Sequence, residues 1–136
     1  MIDKFFKIAA DIANLKDDMR IFHVGAVGIR DDGTIVASAN GPVMLGNLHD
    51  YKRRSFPAAH AETRCVKKMS KNSIIFVART RRDDFSYAMA RPCVNCLGIL
   101  LAKSVLKIYY TIDSEKYGII NVKNKKVVSE NIKSFS

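Results

Sequence analysis

The sequence has no tryptophan, only three prolines and only three cysteines. An odd number of cysteines does not suit a disulfide framework, and two of them, Cys93 and Cys96, form a Cys-x-x-Cys motif. In a reducing compartment this motif is typical of metal binding or redox chemistry. A chain of 136 residues that is 48% hydrophobic can bury a core without disulfides, so we expect a single domain over residues 1–136.

Long hydrophobic runs are also missing, and no stretch approaches the roughly 20 apolar residues of a membrane-spanning helix. The segment from Met1 to Leu15 mixes charges with apolar side chains, whereas a secretory signal has a charged part followed by an apolar part. We therefore expect a soluble cytoplasmic protein without a membrane partner.

Acidic residues are scarce, because 13 Asp and Glu stand against 23 Lys and Arg, for a formal charge of +10. This excess favours an anionic partner, either a nucleotide phosphate or a polynucleotide. Ordinary solubility would account for the same excess, since many lysines lie near the C-terminus, away from any motif. They include Lys123, Lys125, Lys126 and Lys133.

Hydrophobic periodicity predicts the order helix, β-hairpin, helix, strand, helix, strand, strand, which is a mixed sheet covered by helices. The first helix ends near Leu15, the second runs from Pro57 to about Met69, and the third runs from Pro92 to about Lys103. Proline suits the first turn of a helix, where its missing N–H is not needed. The predicted strands cover residues 23–30, 34–39, 73–78, 105–112 and 117–122.

Two short motifs lie at the starts of the second and third predicted helices: His60-Ala61-Glu62 and Pro92-Cys93-Val94-Asn95-Cys96. Cysteines three residues apart on a helix place both sulfurs on one side, where they can chelate one ion. A helix N-terminus also favours the thiolate over the thiol. Two thiolates and the His60 imidazole make three protein ligands. This number leaves a fourth tetrahedral position for water, as in catalytic zinc sites.

Glu62 is the candidate for proton transfer at this metal, because a carboxylate near the ion can take a proton from water and pass it on. In mid-helix, residues two apart point to nearly opposite faces. At a first turn, however, His60 and Glu62 can converge beyond the tip of the helix.

The same residue types also occur in structural zinc sites and in redox pairs of cysteines. A closed structural site needs a fourth protein ligand. Cys65 follows His60 by five residues, which turns it about 140° around the helix, and we expect it to be a core residue. His23 and His49 are further candidates, but nothing in their spacing selects them.

Together the motifs match the H-x-E…P-C-x-x-C signature of zinc deaminases, and the chain resembles the cytidine and deoxycytidylate deaminase superfamily. The resemblance extends from about Val24 to Tyr110 and includes the segment 38–42. It implies a three-layer α/β/α sandwich around a five-stranded mixed sheet. The resemblance also implies that His60, Cys93 and Cys96 are the Zn²⁺ ligands and that Glu62 is the proton shuttle. By the same resemblance, Asn40 contacts the sugar of the substrate, and the backbone N–H of Ala61 contacts the pyrimidine carbonyl.

The substrate class is less determined than the chemistry. Two basic segments fall where loops rim the active site in this fold: Lys52-Arg53-Arg54, and the group Arg79, Arg81 and Arg82. Arginine suits bidentate contact with phosphate, so Arg53, Arg54 and Arg81 are candidate phosphate contacts. A solvated loop face has the same composition. Small free-nucleoside deaminases typically carry Pro-Cys-Gly-x-Cys, whereas Val94 and Asn95 fill the gap between the cysteines here. The Asn-Gly-Pro segment favours the deoxycytidylate group.

We therefore predict a hydrolytic deaminase that converts a free cytosine nucleotide or nucleoside, preferably deoxycytidylate, to its uracil counterpart and ammonia. The alternative is a polynucleotide deaminase, acting on tRNA adenosine or on cytosine in single-stranded DNA, with Phe56, Phe85 or Tyr87 as stacking surfaces. A third hypothesis is a catalytically silent zinc protein that binds nucleotides, although a structural zinc has no use for Glu62. The resemblance also suggests a homo-oligomer.

Overall fold

The computed structural model describes residues 2–14, 22–39, 60–81 and 83–135. None of the helices in these ranges is long and apolar enough to cross a membrane. The elements, in chain order, are α1 (Ile2–Ala13), β1 (Phe22–Ile29), β2 (Ile35–Ala39), α2 (Ala61–Val66), β3 (Ile74–Arg81), β4 (Tyr87–Ala88), α3 (Val94–Ala102), β5 (Lys107–Thr111), β6 (Lys116–Lys123) and β7 (Lys126–Ser134).

The strands form one sheet in the order β2-β1-β3-β5-β6-β7, and the short β4 pairs with β3. Strands β3 and β5 run parallel, whereas the other pairs described are antiparallel. A parallel pair needs a crossover connection, and α3 lies in the segment that joins β3 to β5. The predicted mixed sheet is therefore confirmed.

Helix α1 covers one face of this sheet. Its apolar residues recur at helical spacing, and Phe6 and Ala9 are fully buried. They pack against side chains of the sheet, among which Phe76 and Tyr109 stack with ring centroids 4.4 Å apart. A Cβ on Gly25 of β1 would overlap the carbonyl oxygen of Ala9. The missing side chain at this position therefore lets α1 lie directly on β1.

Helices α2 and α3 cover the opposite face. Cys65 of α2 and Leu100 of α3 are fully buried, and they pack in one cluster with Ile75, Val77 and Ile108 of the sheet. Side chains alternate between the two faces along a strand, which is why neighbouring residues of β3 belong to different clusters. The arrangement of helix, sheet and helix confirms the predicted three-layer α/β/α class.

The described part of the sheet has seven strands, two more than the five predicted. Strand β4 is only two residues long, and every residue of β7 is exposed, so neither has the alternating pattern that predicts a strand. Helix α2 also ends at Val66, before the predicted end near Met69. The N–H groups of Lys68 and Met69 instead donate to carbonyls three residues back, in tighter turns.

Candidate active site

Two helix starts bring the motif residues together. His60 is the N-cap of α2 and Cys93 is the N-cap of α3, and both have extended backbone, with φ and ψ of −80° and 145° for His60 and of −69° and 169° for Cys93. Each side chain thus leaves the backbone just outside its helix, while Cys96 lies in the first turn of α3. Pro92 directly precedes the N-cap Cys93, so it lies just outside the helix and not in its first turn as predicted.

The donor atoms of His60, Cys93 and Cys96 all lie within 4.8 Å of one another. The Nδ1 atom of His60 is 3.1 Å from Sγ of Cys96 and 3.8 Å from Sγ of Cys93. A tetrahedral zinc ion with ordinary bond lengths holds a nitrogen and a sulfur ligand about 3.6 Å apart. The imidazole and two thiols therefore have both the chemistry and the spacing of a zinc site.

Thr63 is next to the metal-binding cluster of His60, Cys93 and Cys96, and the motifs alone do not identify it. Its Oγ1 lies 3.4 Å from Sγ of Cys96, within hydrogen-bond distance for a sulfur partner. Burial is the main cause that raises the pKa of the Cys96 thiol to about 12. A cation beside the sulfur acts in the opposite direction, because it stabilises the thiolate.

Glu62 lies in the first turn of α2, and only 6% of it is exposed. It lines a cleft of about 270 Å³ together with His60, Ala61 and Cys93. Burial raises the pKa of the Glu62 carboxyl above its ordinary value. The structure thus places a buried carboxyl group, two of the cluster residues and Ala61 around one cleft.

The rest of the described cleft wall comes from β1, β3 and the segment before α3, namely Val24, Arg79, Met89, Ala90 and Arg91. Arg79 is one of the basic residues predicted near the rim, and its Nη1 donates to the Met89 carbonyl at 3.2 Å. Arg91 was not predicted. Its position just before the Pro-Cys motif is the signal that could have identified it.

Arg81 is the one candidate phosphate contact that lies within the described residues. Arg81 is the last residue of β3, 55% of its side chain is exposed, and its Nε is 4.0 Å from Asp83. It is not among the described residues that line the cleft. Asn40, Arg53 and Arg54 lie outside the described residues, as do His49, Phe56 and Arg82.

The two alternative metal ligands on described elements are placed away from the cluster. Cys65 is fully buried in the core, as predicted, and burial raises the pKa of its thiol to about 11. His23 is buried, with its Nδ1 2.9 Å from Oδ1 of Asn14. Within the described ranges, the group of His60, Cys93 and Cys96 includes neither of them.

Comparison with known proteins adds an independent observation. Residues 1–112 match the sequence model of the cytidine and deoxycytidylate deaminase zinc-binding region. This chain belongs to that family. It is therefore a zinc-dependent hydrolytic deaminase, and the family together with the three-residue donor cluster identifies Zn²⁺ as its cofactor.

A solved structure of the same fold is the crystal structure of cytidine deaminase from Mycobacterium tuberculosis. The two chains are 19% identical, with a TM-score of 0.52, over 78% of this chain and 81% of that chain. At this level of identity the similarity concerns the fold. A search of curated protein sequences gives no match. The single domain and the cytoplasmic location stay predictions.

Proposed function

We propose that this deaminase acts on a free cytosine nucleotide, with deoxycytidylate as the preferred substrate, and releases ammonia and the uracil counterpart. The observation that carries the proposal is the composition of the cleft. Its wall contains a buried carboxyl group beside the metal-binding cluster and two arginines, Arg79 and Arg91. Its volume of about 270 Å³ suits a small molecule. An arginine-lined cleft of this size favours a substrate that carries a phosphate.

The side chains of His60, Cys93 and Cys96 would hold the zinc ion. When bound, zinc supplies Lewis-acid activation of the attacking water. Glu62 accepts the proton that this water loses and delivers it to the ring nitrogen beside the attacked carbon. A second proton, from the hydroxyl group that the attack adds to the carbon, passes to the amino group; the C–N bond then breaks and ammonia leaves.

One feature of the fold disfavours the polynucleotide alternative. Stacking on single-stranded bases requires aromatic rings that are accessible beside the cleft. Tyr87 instead packs in the aromatic cluster under α1, with its ring centroid 6.4 Å from Phe6 and 5.8 Å from Phe135. Phe85 is exposed, but it is not among the described residues that line the cleft.

The experiment that tests the substrate is an ammonia-release assay of the zinc-loaded protein. The panel contains cytidine, deoxycytidine, their monophosphates, adenosine, guanine, and single-stranded oligonucleotides. We expect the highest kcat/KM for deoxycytidylate. Activity on oligonucleotides alone would overturn the proposal, as would equal activity on deoxycytidine and deoxycytidylate. Protein treated with a chelator gives the background rate.

We also propose that the protein forms a homo-oligomer. Helix α3 contains no charged residue, yet Val94 is 85% exposed and Ile99 is 40% exposed. A helix that is apolar all round is normally buried, so this surface has the composition of an interface. Light scattering coupled to size-exclusion chromatography should give a mass above 15.2 kDa, and Val94→Glu should lower it. A monomer at all micromolar concentrations would contradict the proposal.

A further inference from the structure

Arg91 is fixed close to the metal-binding cluster by the chain itself. A single residue, Pro92, separates it from Cys93, and Pro92 is fully buried. Arg91 lines the same cleft as His60 and Glu62. Its backbone therefore cannot move far without moving Cys93.

The guanidinium of Arg91 is held by a residue from the far end of the chain. Its Nε donates to Oε2 of Glu130 at 2.8 Å, and its Nη2 donates to Oε1 of Glu130 at 2.9 Å. This bidentate geometry fixes the plane of the guanidinium as well as its position. The hydrogen bonds from Arg91 keep the pKa of Glu130 below its ordinary value, so the carboxylate stays ionised.

Tyr110 of β5 completes the arrangement, because its hydroxyl donates to Oε2 of Glu130. Burial raises the pKa of Tyr110 to about 12, so the hydroxyl keeps its proton. The ring lies over Gly118 of β6, where a Cβ would overlap it. Glu130 itself pairs with Ile120 across β6 and β7. The pairing of β5 with β6 and of β6 with β7 thus brings Tyr110 and Glu130 close to the guanidinium of Arg91.

The hairpin of β6 and β7 lies beyond the family match, which ends at residue 112. Its contact with Arg91 is therefore a property of this chain that the family motifs do not require. A guanidinium has five N–H donors, and Glu130 accepts two of them. The group keeps donors for a second anion, and 41% of its side chain is exposed.

We propose that Arg91 contacts the phosphate of the substrate nucleotide and that Glu130 is the positioning residue that holds Arg91 for this contact. The inference rests on the proposed function, since it needs a phosphorylated substrate. A guanidinium already held in place loses less conformational entropy when it binds an anion. A nucleoside has no anionic group for Arg91 to contact, so the arginine distinguishes the nucleotide from the nucleoside.

The test compares kcat and KM for deoxycytidylate and deoxycytidine in zinc-loaded wild-type protein and in Arg91→Gln. Loss of a charged hydrogen-bond partner corresponds to about a 10- to 100-fold lower kcat/KM for deoxycytidylate. The value for deoxycytidine should change less than about twofold, because no charged contact to it is lost. Calorimetric binding of the product deoxyuridylate, against deoxyuridine, should show the same selectivity without turnover.

The variant Glu130→Gln tests whether Glu130 positions Arg91 or only supports the fold. We expect KM for deoxycytidylate to rise about 3- to 10-fold with little change in kcat, because the arginine remains but is less well held. In the double variant, Glu130→Gln should add nothing to Arg91→Gln, since its effect acts through the arginine. Equal losses on both substrates would assign Arg91 and Glu130 a purely structural role and overturn the inference.

Arg30→Gln is the matched control for net charge. Arg30 also forms an ion pair with an acidic residue, since its Nη2 is 3.4 Å from Asp32. It follows the end of β1 remote from Val24, which lines the cleft. This variant should leave both substrates unaffected. A wild-type protein without any preference for the monophosphate would refute the proposed substrate, whereas a preference that survives Arg91→Gln would refute only the role of Arg91.

Discussion

The two faces of the sheet differ in the side chains that they bury and in what those side chains do. Under α1, Phe6, Phe76, Tyr109 and Tyr117 form an aromatic cluster, and none of the predicted zinc ligands belongs to it. Under α2 and α3, the buried side chains are mostly aliphatic, and the helix starts at that face carry the metal-binding cluster. The large rings supply apolar contact area, while the smaller side chains let two short helices approach the sheet at defined points.

Strand β3 shows how one element serves both faces. Phe76 and Ala78 belong to the cluster under α1, whereas Ile75 and Val77 belong to the cluster under α2 and α3. Continuing the alternation places Arg79 on the second face, where it lines the cleft. We therefore expect substitutions in the cluster under α1 to change stability but not the site, and substitutions of residues that line the cleft to change activity. Four predictions test this difference between the faces.

The largest effect is expected for Glu62→Gln. The amide keeps the shape of the carboxyl group but cannot carry the proton, so kcat should fall about 10²- to 10⁴-fold. Zinc should remain at one ion per chain, and the unfolding midpoint should stay close to that of the wild type. Ammonia release, metal analysis and thermal unfolding measure the three quantities. Full activity in a variant that keeps its zinc would exclude Glu62 as the proton shuttle.

On the opposite face, Phe6→Ala should lower the free energy of unfolding by about 3–5 kcal/mol, because it removes a fully buried ring. The ring packs edge-on against Phe76, with centroids 5.3 Å apart. Urea denaturation measures the loss. Lys7→Ala, at an exposed position of the same helix, should change stability little. A folded Phe6→Ala protein should still bind zinc and keep its KM. Loss of metal from the folded variant would show that the two faces are not separable.

The chemistry of the site was more predictable from sequence than its surroundings. A chelating pair on a helix and a histidine at a helix start need fixed residue types at fixed spacing, so local patterns identify Cys93, Cys96 and His60. The layers of the fold follow from the apolar periodicity of α1 and of the central strands. Both kinds of information are contained within short windows of the chain.

The contacts that hold the arginines of the site depend on distant segments or on the course of a strand. Arg91 and Glu130 are 39 residues apart, and their contact requires the pairing of β6 with β7. Since every residue of β7 is exposed, no hydrophobic alternation marks that strand. Similarly, Arg79 and Arg81 are the same residue type two positions apart on β3. Only the three-dimensional structure shows that Arg79 lines the cleft while Arg81 is exposed beside Asp83.

A smaller loss of stability is expected for Cys65→Ala than for Phe6→Ala, and zinc content should distinguish Cys65 from the other buried cysteine, Cys96. Cys65→Ala removes a core thiol and should cost about 1 kcal/mol of stability, with zinc still at one ion per chain. Cys96→Ala should instead lose the metal, because it removes a member of the donor cluster. Since burial raises the pKa of the Cys65 thiol to about 11, this residue should also resist alkylation at neutral pH. Zinc loss from Cys65→Ala would contradict its assignment to the core.

The smallest stability effect is expected for Glu130→Gln, at the edge of the site-bearing face. The pair with Arg91 is partly exposed, at 41% and 30% of the two side chains, so its contribution should be about 0.5–1 kcal/mol. The pKa of Glu130 is lowered in the folded state. The contribution is therefore fully present above the unfolded value of about 4.3, and it is lost as the pH falls through the lower folded value.

Urea midpoints of wild type and Glu130→Gln at pH 7, 5 and 3 measure this difference. The difference in stability between the two proteins should be the same at pH 7 and pH 5, and it should be smaller at pH 3. Acid also releases zinc by protonating its ligands, but this loss affects both proteins and cancels in the comparison. A gap that grows as the pH falls would mean that Glu130 stabilises the fold through its protonated form. The ion pair between Arg91 and Glu130 would then make no contribution to stability, and the hairpin of β6 and β7 would support the cleft only through its packing.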